Sequence, residues 1–212
     1  AALPVSYDTQ SVHTKKPMVK QALQKAVKLE NTTVPLFGFV GRLEARQKGV
    51  DLILHMAEKL PDDTYQLVIL GTGNKKLVAS LEAIVAKHKN VAFVHTFDER
   101  LARRIYAGAD ALLVPSKFEP CGLTQMIAMR YGTIPVVRKT GGLADSVIDG
   151  KTGFMFGSYT TTALTSTMKR VIDIYMKRPS VFTAMIDRVV RTDFSWRVQA
   201  DEYVSMYQYL LR

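Results

Sequence analysis

Short runs made almost entirely of apolar residues recur along the chain, and each is followed by a loop and then by a segment with helical spacing. PLFGFV (35–40), YQLVIL (65–70) and ALLV (111–114) are three of these runs. Strands without a polar face must be covered on both sides, which is typical of a parallel sheet flanked by helices. The alternation therefore predicts a doubly wound α/β domain with a mostly parallel, six-stranded sheet.

The chain's other elements follow from the same periodicities and from capping residues. The long tail from 162 to 211 reads as helical, interrupted at Pro179 and restarted near Ser195, whose side chain is predicted to cap the last helix. Pro17 is predicted in the first turn of the first helix. The other predicted strands are 91–94, 134–137 and 153–156. The other predicted helices are 14–29, 49–60, 75–87, a helix that Asp98 caps and that ends at 106, a helix that follows the 115–122 loop and ends at 130, and 143–148.

Length and composition describe one globular domain, 1–212. With 212 residues and 47% hydrophobic residues, the chain can bury a sizeable core. Cys121 is the single cysteine, which excludes an intrachain disulfide and argues against structural zinc. No membrane span, signal peptide or transit peptide is visible, and we expect a fragment or a processed form. The net charge of +10 favours an anionic partner: nucleic acid, a membrane surface or a phosphorylated small molecule.

Several familiar motifs are incomplete. Gly71-Thr72-Gly73 follows a strand, but Lys76 stands where a dinucleotide fingerprint needs its third glycine, so a tight turn is expected. GKT at 150–152 resembles a P-loop end but precedes a strand, which favours a turn. The four histidines lack metal-ligand spacing, and only His95, which follows a strand, stays a candidate.

Two loops after strands carry the chemistry that remains. The first, 41–49, holds the cations Arg42, Arg46 and Lys48, and the second, 115–124, holds Glu119 at a helix start. Cations from one loop and free N–H groups from the other can hold a diphosphate. The alternatives are a solvated charge cluster and a first-turn acid favoured by the helix dipole.

Taken together, these loops resemble the starch and glycogen synthase family, retaining glucosyltransferases with two facing Rossmann-like domains, the GT-B fold. Details such as GTGNKK, QMIAMRYGT and PVSYD are similar to granule-bound starch synthase. The matching stretches are GRLEARQKGVDLI (41–53), VILGTG (68–73), AGADALLVPSKFEPCGLTQMIAMRYGTIPVV (107–137), TGGLADSV (140–147) and DFSW (193–196). The resemblance identifies this chain as the C-terminal, nucleotide-sugar half of such an enzyme.

The resemblance implies a role for each matching residue. Arg42 and Lys48 are expected to grip the ADP phosphates and stabilise the leaving group, and Glu119 to face the transferred glucose. No metal or cofactor is implied: the donor is ADP-glucose and the product is ADP. The other implied substrate-binding residues lie under the adenine, at the sugar-phosphate and near the acceptor cleft: Phe97, Cys121, Gly122, Leu123, Thr124, Gly141 and Gly142.

The chemistry agrees with these residues, because glucosyl transfer develops positive charge on the sugar and negative charge on the departing ADP. Many related enzymes carry a second glutamate eight positions after the first, where Ile127 stands here, so a double-displacement nucleophile is missing from the motif. The implied partners are ADP or ADP-glucose, an α-1,4-glucan acceptor and the missing N-terminal domain. Without that domain, we expect binding of the nucleotide but no glucan elongation.

Alternative functions remain open from the residues alone. A non-catalytic glucan-binding or interaction module suits an isolated half-enzyme. Nucleic-acid binding rests on charge alone, because the basic pairs, including Lys15-Lys16, lack a known motif and are better explained as a solvated helix surface. An NAD-linked dehydrogenase is the third alternative. The expected location is the plastid for a plant or algal protein and the cytoplasm otherwise.

Overall fold

The computed structural model describes residues 3–211, except the side chain of residue 199. Within this part of the chain, strands and helices alternate as the apolar runs predict; residues 1, 2 and 212 of the predicted domain lie outside it. The strands are β1 (Leu36–Val40), β2 (Gln66–Leu70), β3 (Val91–Val94), β4 (Ala111–Val114), β5 (Ile134–Arg138) and β6 (Phe154–Phe156). The helices are α1 (Val12–Ala26), α2 (Val50–Ala57), α3 (Lys75–Lys87), α4 (Glu99–Gly108), α5 (Thr124–Arg130), α6 (Gly141–Ser146), α7 (Thr161–Lys177), α8 (Pro179–Arg191) and α9 (Trp196–Leu210).

The six strands form one sheet in the order β3-β2-β1-β4-β5-β6, and every pairing is parallel. This confirms the predicted doubly wound α/β fold. The strand order reverses direction between β1 and β4, which are neighbours in the sheet. Loops that leave these two strands diverge and open a crevice, where ligands of such sheets bind. The two loops predicted to carry chemistry are those that follow β1 and β4.

Alternate residues of each strand feed two separate hydrophobic cores. Phe37 and Phe39 of β1 pack on one face of the sheet with side chains of α2, α3, α7 and α8. Leu36 and Val40 face the opposite core, which α1, α4 and α6 complete. Because successive side chains of a strand point to opposite faces, a strand buried on both sides consists almost entirely of apolar residues. The apolar runs of the sequence have this cause.

Helix starts agree with the sequence in some places and differ in others. The Asp98 carboxylate accepts a hydrogen bond from the Leu101 amide, as the capping prediction requires. Ser195 precedes α9 but makes no side-chain cap, so this prediction was wrong. The Asp193 carboxylate instead accepts a 2.8 Å hydrogen bond from the Ser195 amide and another from its hydroxyl. The hydroxyl is therefore occupied outside the helix.

The first helix begins earlier than predicted. Asp8 accepts hydrogen bonds from the backbone amides of Gln10 and Ser11, and α1 then starts at Val12. Pro17 consequently lies inside the helix, not in its first turn as predicted. A proline there has no N–H to give to the preceding turn, so the helix lacks one of its backbone hydrogen bonds.

The prediction of a solvated surface was wrong for Lys16, which is 5% exposed. Its Nζ atom donates to the carbonyl oxygens of Ala107 (2.9 Å) and Tyr131 (3.2 Å) and to Thr133 Oγ1 (2.6 Å). Lys20, one helical turn further, pairs with Asp110 at 2.7 Å and is also buried. These bonds connect α1 to the ends of α4 and α5 and to the residue that precedes β4.

The predicted helical tail is confirmed, and its last helix exposes apolar side chains. Trp196, Tyr203, Tyr207 and Tyr209 are each more than half exposed on α9. Exposed aromatic side chains in such number are unusual on a free surface. Between residues 3 and 211, no helix is long and apolar enough to cross a membrane.

Candidate functional site

The loops after β1 and β4 meet at backbone distance. The Lys117 amide donates a 2.7 Å hydrogen bond to the Gln47 carbonyl oxygen. Gly49 has a φ of 70°, and a Cβ built on it would lie 2.2 Å from the Pro115 carbonyl oxygen. Only glycine accommodates both the positive φ and this approach. Position 49 therefore joins the two loops across the crevice between β1 and β4.

A third loop, after β5, packs against the same place. The Gly142 amide donates to the Glu119 carbonyl oxygen at 3.1 Å. A Cβ on Gly141 would lie 2.2 Å from that oxygen, and one on Gly142 would lie 2.1 Å from the Cys121 carbonyl oxygen. The structure thus brings the predicted residues Gly141 and Gly142 into direct contact with the loop that carries Glu119. Their predicted place near an acceptor is a separate matter that stays a prediction.

Lys48 and Glu119 form an ion pair at the centre of the three loops. Lys48 Nζ lies 2.7 Å from Glu119 Oε2, and the hydroxyl of Ser116 donates to the same oxygen at 3.0 Å. The side chains of Lys48 and Glu119 are 22% and 11% exposed. A charge-assisted pair this sheltered from water fixes the orientation of both groups. The resemblance assigned Lys48 to the ADP phosphates and Glu119 to the transferred glucose, and the structure places the two side chains in contact.

Arg138 stabilises the loop after β4 through hydrogen bonds to its backbone, and this role of Arg138 was not predicted from the sequence. Its guanidinium donates to the carbonyl oxygens of Ser116 (2.9 Å), Lys117 and Gly157 (3.4 Å). It also lies over the ring of Tyr159, 5.9 Å from the ring centroid. The sequence did show a cation at the end of a buried strand. Its role could not be predicted from this, because its partners are backbone carbonyl oxygens of loops that are distant in sequence. Ser116 was overlooked too, although it lies in the motif that contains Glu119.

Tyr159 anchors the same corner to α2. Its hydroxyl donates to the carboxylate of Asp51 at 2.7 Å. Burial raises the pKa of the Tyr159 hydroxyl far above its usual value, and the Asp51 carboxylate acts in the same direction. The hydroxyl therefore stays protonated and keeps its role as a donor. Lys117 lies 5.7 Å from the centroid of the same ring, so cations of two loops share one aromatic side chain.

A cavity of about 290 Å³ opens beside these loops at the carboxyl ends of β1 and β2. It is lined by Arg42, Phe97 and the Gly71-Thr72 turn, and Phe97 is 82% exposed. Tyr106 lines it too; burial raises the pKa of Tyr106, and a hydrogen bond with Thr124 works in the opposite direction. The structure thus places Arg42 with Phe97, and Lys48 with Glu119.

The remaining predicted residues form the turn between the ion pair and α5. Gly122 has a φ of 74°, which favours glycine, and Leu123 is 65% exposed. Cys121 is a free, exposed thiol.

His95, the histidine kept as a candidate, is exposed and stacks on Phe93. The roles predicted for Cys121 to Thr124 at a sugar-phosphate stay predictions, as do those of Arg42, Lys48 and Glu119.

A second cavity, of about 340 Å³, lies at the opposite edge of the sheet between α1, α7 and α8. Lys16, Lys20 and Asp110 line it. Lys20 Nζ donates to Val34 O, Asp110 Oδ2 and Tyr175 OH, and Lys16 Nζ likewise has three acceptors. Because an ammonium has three donors, both side chains are fully engaged in the fold. Their arrangement is structural.

Comparison with known proteins is consistent with this architecture. The family model described as "Glycosyl transferases group 1" matches residues 20–182. Glycogen synthases from Exiguobacterium sibiricum and Thermodesulfovibrio yellowstonii are 42% and 38% identical over 96% and 97% of this chain. The alignments cover 43% and 41% of those proteins, so the chain spans less than half of their length.

Solved structures show the same relationship. The catalytic domain of starch synthase IV from Arabidopsis thaliana, bound to ADP and acarbose, superposes with a TM-score of 0.89 at 34% identity. The match covers 98% of this chain and 45% of that one. A sucrose-phosphate synthase from Thermosynechococcus elongatus shares the fold, with a TM-score of 0.68 at 22% identity. The chain therefore belongs to the group 1 glycosyl transferases, and its relatives among them are glycogen and starch synthases.

Proposed function

We propose that this chain is the single nucleotide-sugar-binding domain of a glucosyltransferase that uses ADP-glucose to extend an α-1,4-glucan at its non-reducing end. The observation that carries the proposal is the Lys48–Glu119 ion pair, held where three loops converge beside the cavity lined by Arg42 and Phe97. The site lies at the strand-order reversal, where α/β sheets bind ligands. The ADP seen in starch synthase IV supports the choice of nucleotide.

The proposed reaction breaks the bond between glucose C1 and the β-phosphate oxygen, and the electron pair leaves with ADP. The oxygen of an acceptor hydroxyl forms the new C1–O bond with retained configuration, and the hydroxyl proton passes to the departing phosphate oxygen. Arg42 and Lys48 stabilise the charge that develops on the phosphate, and Glu119 lies on the side where the glucosyl ring becomes positive. We propose that these two cations do this without a metal or a cofactor.

The proposed partners include the part of the protein that this chain does not contain. The relatives are more than twice as long as the matched region. The exposed aromatic side chains of α9 offer that part an apolar surface. We therefore expect the isolated chain to bind ADP or ADP-glucose and to be unable to elongate glucan, because the acceptor side of the site is missing.

The branch of the family to which this chain belongs, and its location in the cell, are also proposals. Similarities such as GTGNKK and PVSYD favour the granule-bound starch synthase branch, and a plastid location would follow for a plant or algal protein. A preference of the site for ADP over UDP would support ADP-glucose as the donor, which the whole family shares. Nothing in the proposal requires nucleic acid.

Isothermal titration calorimetry of the chain with ADP and with UDP tests the proposed donor site. We expect ADP to bind more tightly than UDP. Arg42→Ala and Lys48→Ala should each weaken ADP binding by about 1.5–3 kcal/mol, the usual value of a hydrogen bond to a charged group. Lys87→Ala, an exposed lysine at the end of α3, is the matched control and should leave the affinity unchanged.

Three results would contradict the proposal. Unchanged ADP affinity in both variants would show that neither Arg42 nor Lys48 contributes to ADP binding. Binding of amylose without any affinity for ADP would favour the non-catalytic glucan-binding alternative. Glucan elongation by the isolated chain would show that the acceptor side is not missing.

A further inference from the structure

Gln125 lies in the first turn of α5, directly beneath the turn that follows Glu119, and is 0% exposed. Its Nε2 atom lies 2.7 Å from the Gly122 carbonyl oxygen, 3.0 Å from Ser146 Oγ and 3.3 Å from the Cys121 carbonyl oxygen. These three partners belong to the loop after β4 and to α6. One amide group therefore connects two loops of the proposed donor site.

The hydrogen-bond partners fix the orientation of this amide. The Ser146 hydroxyl donates its own proton to the Gly142 carbonyl oxygen at 2.6 Å, so it accepts from Gln125. The Cys121 and Gly122 carbonyl oxygens are acceptors only. The NH₂ end must face all three, which leaves Oε1 buried without a hydrogen-bond partner in the described chain.

An unpaired buried acceptor is unfavourable, and a residue with a purely packing role would avoid it. An apolar side chain of similar size would fill the same volume without that cost. The retained amide indicates that its two N–H donors, which serve these three acceptors, have a use. Their effect is to hold the Gly122 turn, whose φ is 74°, in one conformation.

The bonds continue to Glu119. Gln125 bonds to Ser146, and Ser146 bonds to the Gly142 carbonyl oxygen. The Gly142 amide then donates to the Glu119 carbonyl oxygen. This closed circuit fixes the distance between the turn after β5 and the loop after β4.

We propose that Gln125 is a positioning residue of the donor site, which sets the spacing of the Glu119–Gly122 loop and the Gly141–Gly142 turn and thereby the affinity for a nucleoside diphosphate. The inference rests on the proposed function, since it assumes that these loops contact the nucleotide. Gln125 acts through the loop carbonyl groups and does not itself touch the ligand.

The test replaces the hydrogen-bond-donating amide of Gln125 by a carboxylate, which has the same shape but can only accept hydrogen bonds when it is ionised. In Gln125→Glu, a carboxylate faces the Cys121 and Gly122 carbonyl oxygens at high pH and repels them. Burial without a cation raises the pKa of such a carboxyl, so at low pH it is protonated and donates one hydrogen bond again. We expect ADP affinity, measured as a ratio to the wild type, to be about tenfold lower at pH 9 and to recover to about threefold lower at pH 6.

Gln24 provides a matched control at the opposite edge of the sheet. It is also 0% exposed, its Nε2 donates to Gln66 Oε1 and Thr32 O, and its Oε1 is unpaired. Gln24→Glu should lower the melting temperature but leave ADP affinity at the wild-type value at both pH values. Gln125→Met should lower ADP affinity by the same factor at pH 6 and pH 9, because it cannot titrate.

Ser146→Ala provides a milder test if Gln125→Glu does not fold. It removes the link to α6 and keeps the bond to Gly122, so we expect about threefold weaker ADP binding. Wild-type affinity in Ser146→Ala, or a Gln125→Glu variant that binds ADP as the wild type does at pH 9, would overturn the inference alone. A wild-type chain that binds no ADP would overturn the proposed function together with it.

Discussion

Replacing Glu119 by glutamine removes one charge from the site and keeps its shape. In the free chain, the Glu119 carboxylate neutralises Lys48 at 2.7 Å, and the two side chains are 11% and 22% exposed. Breaking a fully buried pair by removal of one partner costs about 3–5 kcal/mol. Because glutamine still accepts a hydrogen bond and the pair is partly exposed, we expect a loss of about 2 kcal/mol in the free energy of unfolding.

The same substitution should have the opposite effect on ligand binding. The carboxylate repels a diphosphate held by Lys48; at a separation of about 7 Å, the repulsion between two unit charges lies between roughly 0.6 kcal/mol (dielectric constant about 80) and roughly 2.4 kcal/mol (about 20), and we take about 1 kcal/mol for this partly exposed site. Glu119→Gln should therefore bind ADP about fivefold more tightly while it unfolds more easily. This combination is expected if the Glu119 carboxylate stabilises the free chain and at the same time weakens the binding of the diphosphate.

Urea unfolding and calorimetric titration with ADP measure the two effects of Glu119→Gln separately. A loss of about 2 kcal/mol corresponds to a decrease of about 4–8 °C in melting temperature for a chain of this size. Glu44→Gln, which alters an exposed carboxylate in the loop after β1, is the control and should change stability by less than about 0.5 kcal/mol. Unchanged stability in Glu119→Gln, or weaker ADP binding, would refute the reasoning.

Three further predictions concern other parts of the chain. Lys20→Met should lower the free energy of unfolding by about 3–5 kcal/mol, measured in urea, because it leaves the buried Asp110 carboxylate unpaired; ADP affinity should not change. Gly142→Ala should weaken ADP binding by more than about tenfold in calorimetry, because the new Cβ would lie 2.1 Å from the Cys121 carbonyl oxygen. Burial, partly opposed by Asp110, lowers the pKa of Lys16 to about 7 from 10.5, so the unfolded chain binds more protons between these values. Stability should therefore rise by about 2 kcal/mol from pH 7 to pH 9, and urea titrations of Lys16→Met should lack this rise.

The strands and most helices could be predicted because their signals are local. A strand buried on both faces reads as an apolar run, and β3 and β4 were found with their observed bounds. Helix starts were less predictable, because a capping side chain can bind elsewhere. Ser195 has the right residue type for a cap, yet Asp193 takes both its amide and its hydroxyl.

Buried lysines and loop supports could not be predicted, because their partners are distant in sequence. In the sequence, Lys15 and Lys16 form a basic pair typical of a solvated surface. Lys16 can be buried because its Nζ atom donates hydrogen bonds to the carbonyl oxygens of Ala107 and Tyr131, which are far away in sequence. Arg138 and Gln125 likewise bind carbonyl oxygens of other loops, which carry no side-chain signature. The contact between Lys48 and Glu119 could have been predicted, since their loops follow two neighbouring parallel strands that end at the same edge of the sheet.

The position of the diphosphate in a crystal structure of this chain with ADP tests the central claim most directly. We expect the phosphate oxygens to lie within hydrogen-bond distance of Arg42 and Lys48 and the adenine to occupy the cavity that Phe97 lines. The opposite result would be a diphosphate in the cavity between α1, α7 and α8, beside Lys16 and Lys20, which would contradict the account.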